Sequence, residues 1–194
     1  MSIRVIGGSA KGRRLKLVPG ESTRPIMDRV KEALFNIIGR KIYDATFLDL
    51  FAGTGSVGIE ALSRGAAHAL LTDLEPKAIR TIEENLKLTG FGGRATVRKT
   101  DAFTLLGQKP DQPYNFVYIA PPQYKQLWSA SLEALDKNPG WLEAGGRAIA
   151  QIDPNEQTTL ELKHLELDDE RRYGNTALLF FRFRPVEREE PERD

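Results

Sequence analysis

The chain has 194 residues, 40% of them hydrophobic and 28% charged, with a formal net charge of +1. That balance suits one globular domain able to bury a core, and it excludes wholesale disorder. Cysteine is absent and only His68 and His164 carry imidazoles. A disulfide framework, a thiolate zinc site and a cysteine nucleophile are therefore excluded, and no metal site is expected. No apolar run reaches the length of a membrane span. The opening residues lack a signal-like apolar core, so a cytoplasmic protein is expected.

Charge is unevenly placed. Residues 1–18 carry Arg4, Lys11, Arg13, Arg14 and Lys16 and no acid, which leaves −4 on the rest of the chain (+1 less +5). A basic arm on a slightly acidic body suggests a polyanionic partner. A solvated surface hairpin is the plainer alternative.

In chain order, residues 3–18 read as a strand, a glycine turn and a second strand. Met27, Val30, Leu34, Ile37 and Ile38 lie on one face of a helix that should end at Gly39. A strand–helix alternation follows. Strands are expected at 46–51, 67–72, 95–99, 114–119 and 146–152. Helices are expected at 56–63, 76–88 and 124–135, the second with Pro76 in its first turn and Gly90 beyond its end. This alternation predicts an α/β fold with a largely parallel sheet covered on both faces. Two further β-rich stretches, 159–167 and 177–183, should pair antiparallel at one edge. The charged tail from Pro185 to Asp194 is expected to be disordered. The domain plan is then a basic hairpin extension over 1–22, a catalytic domain over 23–184, and a tail over 185–194.

The segment Ala52-Gly53-Thr54-Gly55-Ser56-Val57-Gly58 follows a predicted strand and opens a predicted helix. It matches G-x-G-x-x-G, and Asp73 stands 20 residues after Gly53, at the end of the second crossover strand. Glycines let the backbone approach an adenosine ligand, and the acid accepts hydrogen bonds from ribose hydroxyls. Asp49 discriminates between ligands. A carboxylate four residues before Gly53 repels a pyrophosphate but welcomes the sulfonium and ammonium groups of S-adenosylmethionine. Asp101, after the third strand, suits an adenine amino group, or is simply a helix N-cap. Glu75 is a second candidate for the ribose.

Ala120-Pro121-Pro122-Gln123-Tyr124 follows an apolar strand. Two prolines stiffen the loop and remove donors. The carbonyls of Ala120 and Pro121 are then available to an exocyclic amine, and Tyr124 to a planar base. Holding both N–H groups of such an amine aims its lone pair at a methyl donor. A proline turn with Tyr124 in the core is the competing reading.

These residues resemble the RsmD-type methyltransferases, which methylate N2 of a guanine in small-subunit (16S) ribosomal RNA. The resemblance runs from Arg4 to about Phe183. It is carried by RVIGGSAKGRRL (Arg4–Leu15), TRPIMDRVKEALFNII (Thr23–Ile38), LDLFAGTGSVGIEALSRGA (Leu48–Ala66) and RRYGNTALLFFRF (Arg171–Phe183). It implies a Rossmann-like class I methyltransferase fold: a seven-stranded, mostly parallel sheet with an antiparallel edge strand, and an N-terminal hairpin. It also implies S-adenosylmethionine as cofactor, contacted by Asp49, Phe51, Gly53, Gly55, Asp73, Leu74, Asp101 and Ala102. Arg4, Lys11, Arg13, Arg14, Arg24 and Arg29 are expected to meet RNA phosphates, although Arg29 could instead pair with Asp28 or Glu32. The partner is then ribosomal RNA or the small subunit, and a monomer is the default.

One departure stands out. Such families carry Asp-Pro-Pro-aromatic after the fourth strand, whereas here the acid position is Ala120 and the aromatic position is Gln123. The catalytic set is therefore Ala120, Pro121, Pro122, Gln123 and Tyr124, without a carboxylate. Rival readings are an N6-adenine nucleic-acid methyltransferase, a catalytically impaired RNA-binding assembly factor, and a nicotinamide oxidoreductase, which Asp49 disfavours.

Overall fold

The structure is a computed structural model that describes residues 3–20 and 26–185. The expected boundary near residue 22 and the expected disorder of residues 186–194 lie outside the described residues. A two-stranded antiparallel ladder, β1 (Ile3–Arg4) with β2 (Arg14–Leu15), opens the chain. Helix α1 (Asp28–Ile38) follows and ends at Gly39, whose φ of 59° any larger residue would resist.

The body is one sheet of β3 (Thr46–Asp49), β4 (His68–Asp73), β5 (Ala95–Lys99), β6 (Tyr114–Ile119), β7 (Leu142–Ile152), β8 (Leu165–Arg172) and β9 (Ala177–Phe183). Their spatial order is β5-β4-β3-β6-β7-β9-β8. The first five are mutually parallel, and β9 runs antiparallel between β7 and β8. The expected seven-stranded sheet with an antiparallel edge and an N-terminal hairpin is therefore present.

Helices α2 (Ser56–Ser63), α3 (Pro76–Thr89), α4 (Ala102–Leu106) and α5 (Leu127–Lys137) complete the layers. Strand residues alternate between two cores, as a period of two requires. Phe47, Ile149 and Phe180 pack with α1, α2 and α3. Leu48, Ala148 and Phe181 pack with α4 and α5 on the opposite face. No helix among the described residues is long and apolar enough to cross a membrane.

Three expectations need correction. Helix α5 starts at Leu127 and not at residue 124, because Tyr124 and Gln126 hold positive φ of 62° and 51°, which no helix accommodates. The edge strand is Leu165–Arg172 and not 159–167, since the ladder to β9 spans those residues. Its sequence, LELDDERR, is charged on both faces, which hides a strand but suits an exposed sheet edge. The short α4 was not expected; Asp101 caps it.

The hairpin docks through buried polar contacts. Glu60, fully buried in α2, accepts the backbone N–H groups of Ile6 and Gly7 at 2.9 and 2.8 Å. It also pairs with Arg64 at 2.8 Å and with buried Lys31 of α1 at 3.3 Å. Lys31 donates in turn to the carbonyl of Arg4 and to Ser56 Oγ. Gly8 is obligatory in this joint: a Cβ there would lie 1.8 Å from the Ser63 carbonyl oxygen. Burial pushes the Lys31 ammonium below its ordinary value, and Glu60 opposes that shift. Removing one member leaves an uncompensated buried charge. Glu60→Ala should cost about 3–5 kcal/mol of stability, read as a lower urea midpoint with an unchanged slope.

Candidate active site

Strand β3 ends at Asp49, and the chain turns through Phe51, Ala52, Gly53 and Thr54 into α2. Gly53 and Gly55 hold φ of 55° and 75°. A Cβ at Gly53 would meet nothing within 4 Å, so this turn faces open space. Gly58 serves packing: a Cβ there would lie 2.7 Å from Leu71 Cδ2. Closeness to the strand lets the Gly58 N–H donate to Asp49 Oδ2 at 2.9 Å.

Asp49 is buried. Burial pushes its carboxyl up to about 7; the Gly58 N–H pulls it down and the nearby Asp73 charge pushes it further up. Asp73, at the end of β4, accepts the Gly53 N–H at 2.8 Å and the Glu75 N–H at 2.9 Å. It thereby braces the glycine turn, while Glu75 is exposed at the start of α3. Asp101 stands beside Asp73, since Thr100 N–H donates to the Asp73 carbonyl. One oxygen of Asp101 caps α4, taking N–H bonds from Phe103 and Thr104. The N-cap reading thus describes Oδ1, while Oδ2 has no partner among the described residues. Phe51 is half-buried, Ala102 is buried, and Leu74 is exposed at the rim. Three carboxylates line three adjacent strand ends, a donor set that fits a cationic ligand.

The proline loop leaves the neighbouring strand. Asp49 is the register partner of Tyr118, so Ala120 and Pro121 begin two residues beyond it. From β3 the sheet order steps outward through β4 and β5 on one side and, from β6, through β7 on the other, all five strands pointing the same way. The crevice between β3 and β6 is therefore a topological switch point, where open α/β sheets bind their ligands. Ala120 and Pro121 are half-buried; Pro122 and Gln123 are exposed. Tyr124 is 69% exposed, which excludes the core-packing reading. Its backbone N–H donates to Glu156 Oε1 at 2.6 Å and its hydroxyl to Asp153 Oδ2 at 2.8 Å. The bond to Asp153 raises the tyrosine's pKa. Tyr118 lies buried beneath, its hydroxyl on Gln151 at 2.6 Å.

The arm's cations face solvent. Lys11, Arg13 and Arg14 are exposed and make no ion pair among the described residues. Arg4 pairs with Asp28 at 3.0 Å, so Asp28 is not the partner of Arg29. Arg29 is exposed, and its guanidinium lies against the turn at Gly174. Arg24 lies outside the described residues. The arm also grips the glycine turn: Asn85 of α3 donates to the carbonyls of Lys16 and Thr54 and accepts the Lys16 N–H.

Sequence reasoning missed Lys31, Glu60, Asn85, Asp153 and Glu156. The first three carry a usable signal, because each is polar on an otherwise apolar helical stripe. Asp153 reads locally only as the cap of its own short turn, where it takes the Asn155 N–H; the bonds of Asp153 and Glu156 to Tyr124 are tertiary and carry no local signal.

The sheet order, the glycine turn and the acid-lined switch point define an S-adenosylmethionine-dependent methyltransferase. A family model described as "Conserved hypothetical protein 95" matches residues 3–182, and the chain belongs to this family, the RsmD family. It is 41% identical over 140 residues to ribosomal RNA small subunit methyltransferase D of Escherichia coli K12, covering 72% of this chain and 69% of that protein. It is 38% identical over 184 residues to YlbH of Bacillus subtilis strain 168, covering 94% and 100%. Among solved structures, Escherichia coli yhhF superposes with a TM-score of 0.84 at 34% identity, covering 95% of this chain and 99% of that one.

The raised carboxyl of Asp49 has a consequence for stability. Between its ordinary value of 3.8 and about 7 the folded state holds a proton that the unfolded state has released. The contribution is full below pH 3.8 and is lost as pH rises through about 7. Denaturant titrations of the wild type and Asp49→Asn should therefore differ by an amount that moves against the wild type from pH 5 to 8.

Proposed function

We propose that the chain transfers a methyl group from S-adenosylmethionine to the exocyclic N2 of a guanine in small-subunit (16S) ribosomal RNA. The observation that carries this reading is the register of β3 with β6, which sets acid-lined crevice and proline loop side by side. The name of the Escherichia coli relative supports the substrate. When bound, S-adenosylmethionine supplies an electrophilic methyl on a positively charged sulfur.

The chain's own residues do the rest. Ionised Asp49 holds the cationic end of the donor, and Asp73 takes the ribose hydroxyls. The free oxygen of Asp101 takes the adenine amino group. Phe51, Leu74 and Ala102 line the same crevice, bare Gly53 leaves it room, and Gly55, packed against Leu71 and Ile82, holds the turn in shape. Arg4, Lys11, Arg13, Arg14, Arg24 and Arg29 meet RNA phosphates. The target guanine is turned out of its stack, and the strand-end loop receives it. The carbonyls of Ala120 and Pro121 accept the N2 hydrogens, with the Gln123 amide oxygen beside them, and aim the nitrogen lone pair at the methyl. Pro122 keeps the loop stiff, and Tyr124 offers its ring to the base. The proton released after transfer leaves to water.

Ala120 marks where a carboxylate acceptor is missing. A hydrogen bond to a charged group contributes roughly 1.5–3 kcal/mol, so Ala120→Asp should raise kcat roughly 10- to 160-fold. An unchanged rate would mean that another acceptor already serves.

Purified small subunits or their assembly intermediates, incubated with labelled S-adenosylmethionine, should gain label as N2-methylguanine. Label on adenine N6 would favour the adenine reading. Cofactor binding without incorporation would favour an RNA-binding assembly factor. Calorimetry should show Asp49→Asn binding S-adenosylmethionine about 10- to 100-fold more weakly. Wild-type affinity should fall about fivefold from pH 7 to pH 6 as Asp49, held at about 7, protonates, a loss the variant should lack.

A further inference from the structure

The family's aromatic position holds Gln123, and the aromatic ring comes one residue later, on Tyr124. A one-residue shift along a loop normally turns a side chain to a different direction. Here Tyr124 sits in the left-handed region at φ 62°, a conformation that a bulky residue adopts only when its surroundings impose it. The imposing groups are two carboxylates from the segment after β7. Glu156 takes the Tyr124 N–H at 2.6 Å and Asp153 takes its hydroxyl at 2.8 Å. Asp153 is itself fixed: it is 5% exposed, and its other oxygen accepts the Asn155 N–H at 2.9 Å. Both oxygens of Asp153 are thus engaged, which holds the carboxylate in one orientation against the tyrosine. The tyrosine ring, tethered at both ends, remains 69% exposed. An exposed aromatic held rigidly by its polar tip offers a face for stacking at low entropic cost.

We propose that Asp153, with Glu156, is a positioning residue for methyl transfer, fixing the displaced Tyr124 ring as the face on which the target base stacks. The proposal rests on the base-methylating reading of this site. β6 and β7 are parallel neighbours, so the 153–156 turn and the proline loop emerge side by side from the sheet. The turn supplies from the adjacent strand the rigidity that the altered motif lost. Positioning of this kind acts on alignment of the bound base and leaves the cofactor crevice untouched.

The test is steady-state methylation of purified small subunits by full-length Asp153→Ala, Asp153→Asn, Tyr124→Phe and the Asp153→Ala/Tyr124→Phe pair. Calorimetry with S-adenosylmethionine accompanies each. Asp153→Ala and Tyr124→Phe should each lower kcat roughly tenfold with cofactor Kd unchanged. The pair should fall no further than either single variant, because both break one bond. Asp153→Asn, whose amide oxygen still accepts the hydroxyl, should recover most of the rate. Wild-type kcat in both single variants, or losses that multiply in the pair, would overturn the proposal. If Asp153→Ala does not fold, Tyr124→Phe, which alters only an exposed ring, decides alone. A wild-type protein that methylates no subunit would instead overturn the proposed function.

Discussion

Glu60 holds the molecule's two working parts in one body. A carboxylate with no exposure survives only if every lone pair is answered. The N–H groups of Ile6 and Gly7, the Arg64 guanidinium and the Lys31 ammonium answer it. Two of those donors belong to the arm, one to α1 and one to the residue that caps the end of α2. Lys31 extends the joint to Ser56, the first residue of the helix that the glycine turn opens. Asn85 makes a second bridge between arm and turn from the other side. The basic arm is thus tied by side chains to the ligand crevice.

That joint brings opposite charges close without cancelling them. The arm carries five cations and no acid over residues 1–18, and Lys11, Arg13 and Arg14 point to solvent. The crevice carries Asp49, Asp73 and Asp101 at three adjacent strand ends. A single ligand would not need both surfaces. Two ligands of opposite charge would, one a small cation and the other a polyanion. Coulomb energy in the buried crevice is less screened than on the arm, so under the proposed function Asp49 supplies specificity and the arm salt-sensitive reach.

The parts of this arrangement differ in how far a linear reading could find them. The strand–helix alternation from Thr46 to Thr89 was legible because apolar spacing switches cleanly from two to 3.6 there. The turn residues Pro76 and Gly90 mark the ends of α3. The glycine turn and its acids were legible through their spacing. Edge strand β8 was not, because a strand exposed to solvent needs no apolar face. Helix α5 was placed too early because left-handed tyrosine and glutamine carry no local signal. The Lys31–Glu60 pair spans 29 positions, and each residue alone reads as an odd polar group on an apolar stripe. The tether from Asp153 to Tyr124 depends wholly on β6 and β7 being neighbours, which only the sheet order reveals.

Under the proposed function, the switch-point carboxylates select a cationic sulfonium donor over a phosphate-bearing dinucleotide. Titration calorimetry of the full chain with S-adenosylmethionine and, separately, with a nicotinamide dinucleotide tests it most directly. Saturable one-to-one binding of the sulfonium compound is expected, with no measurable heat from the dinucleotide. Saturable binding of the dinucleotide with none of the sulfonium compound would contradict it.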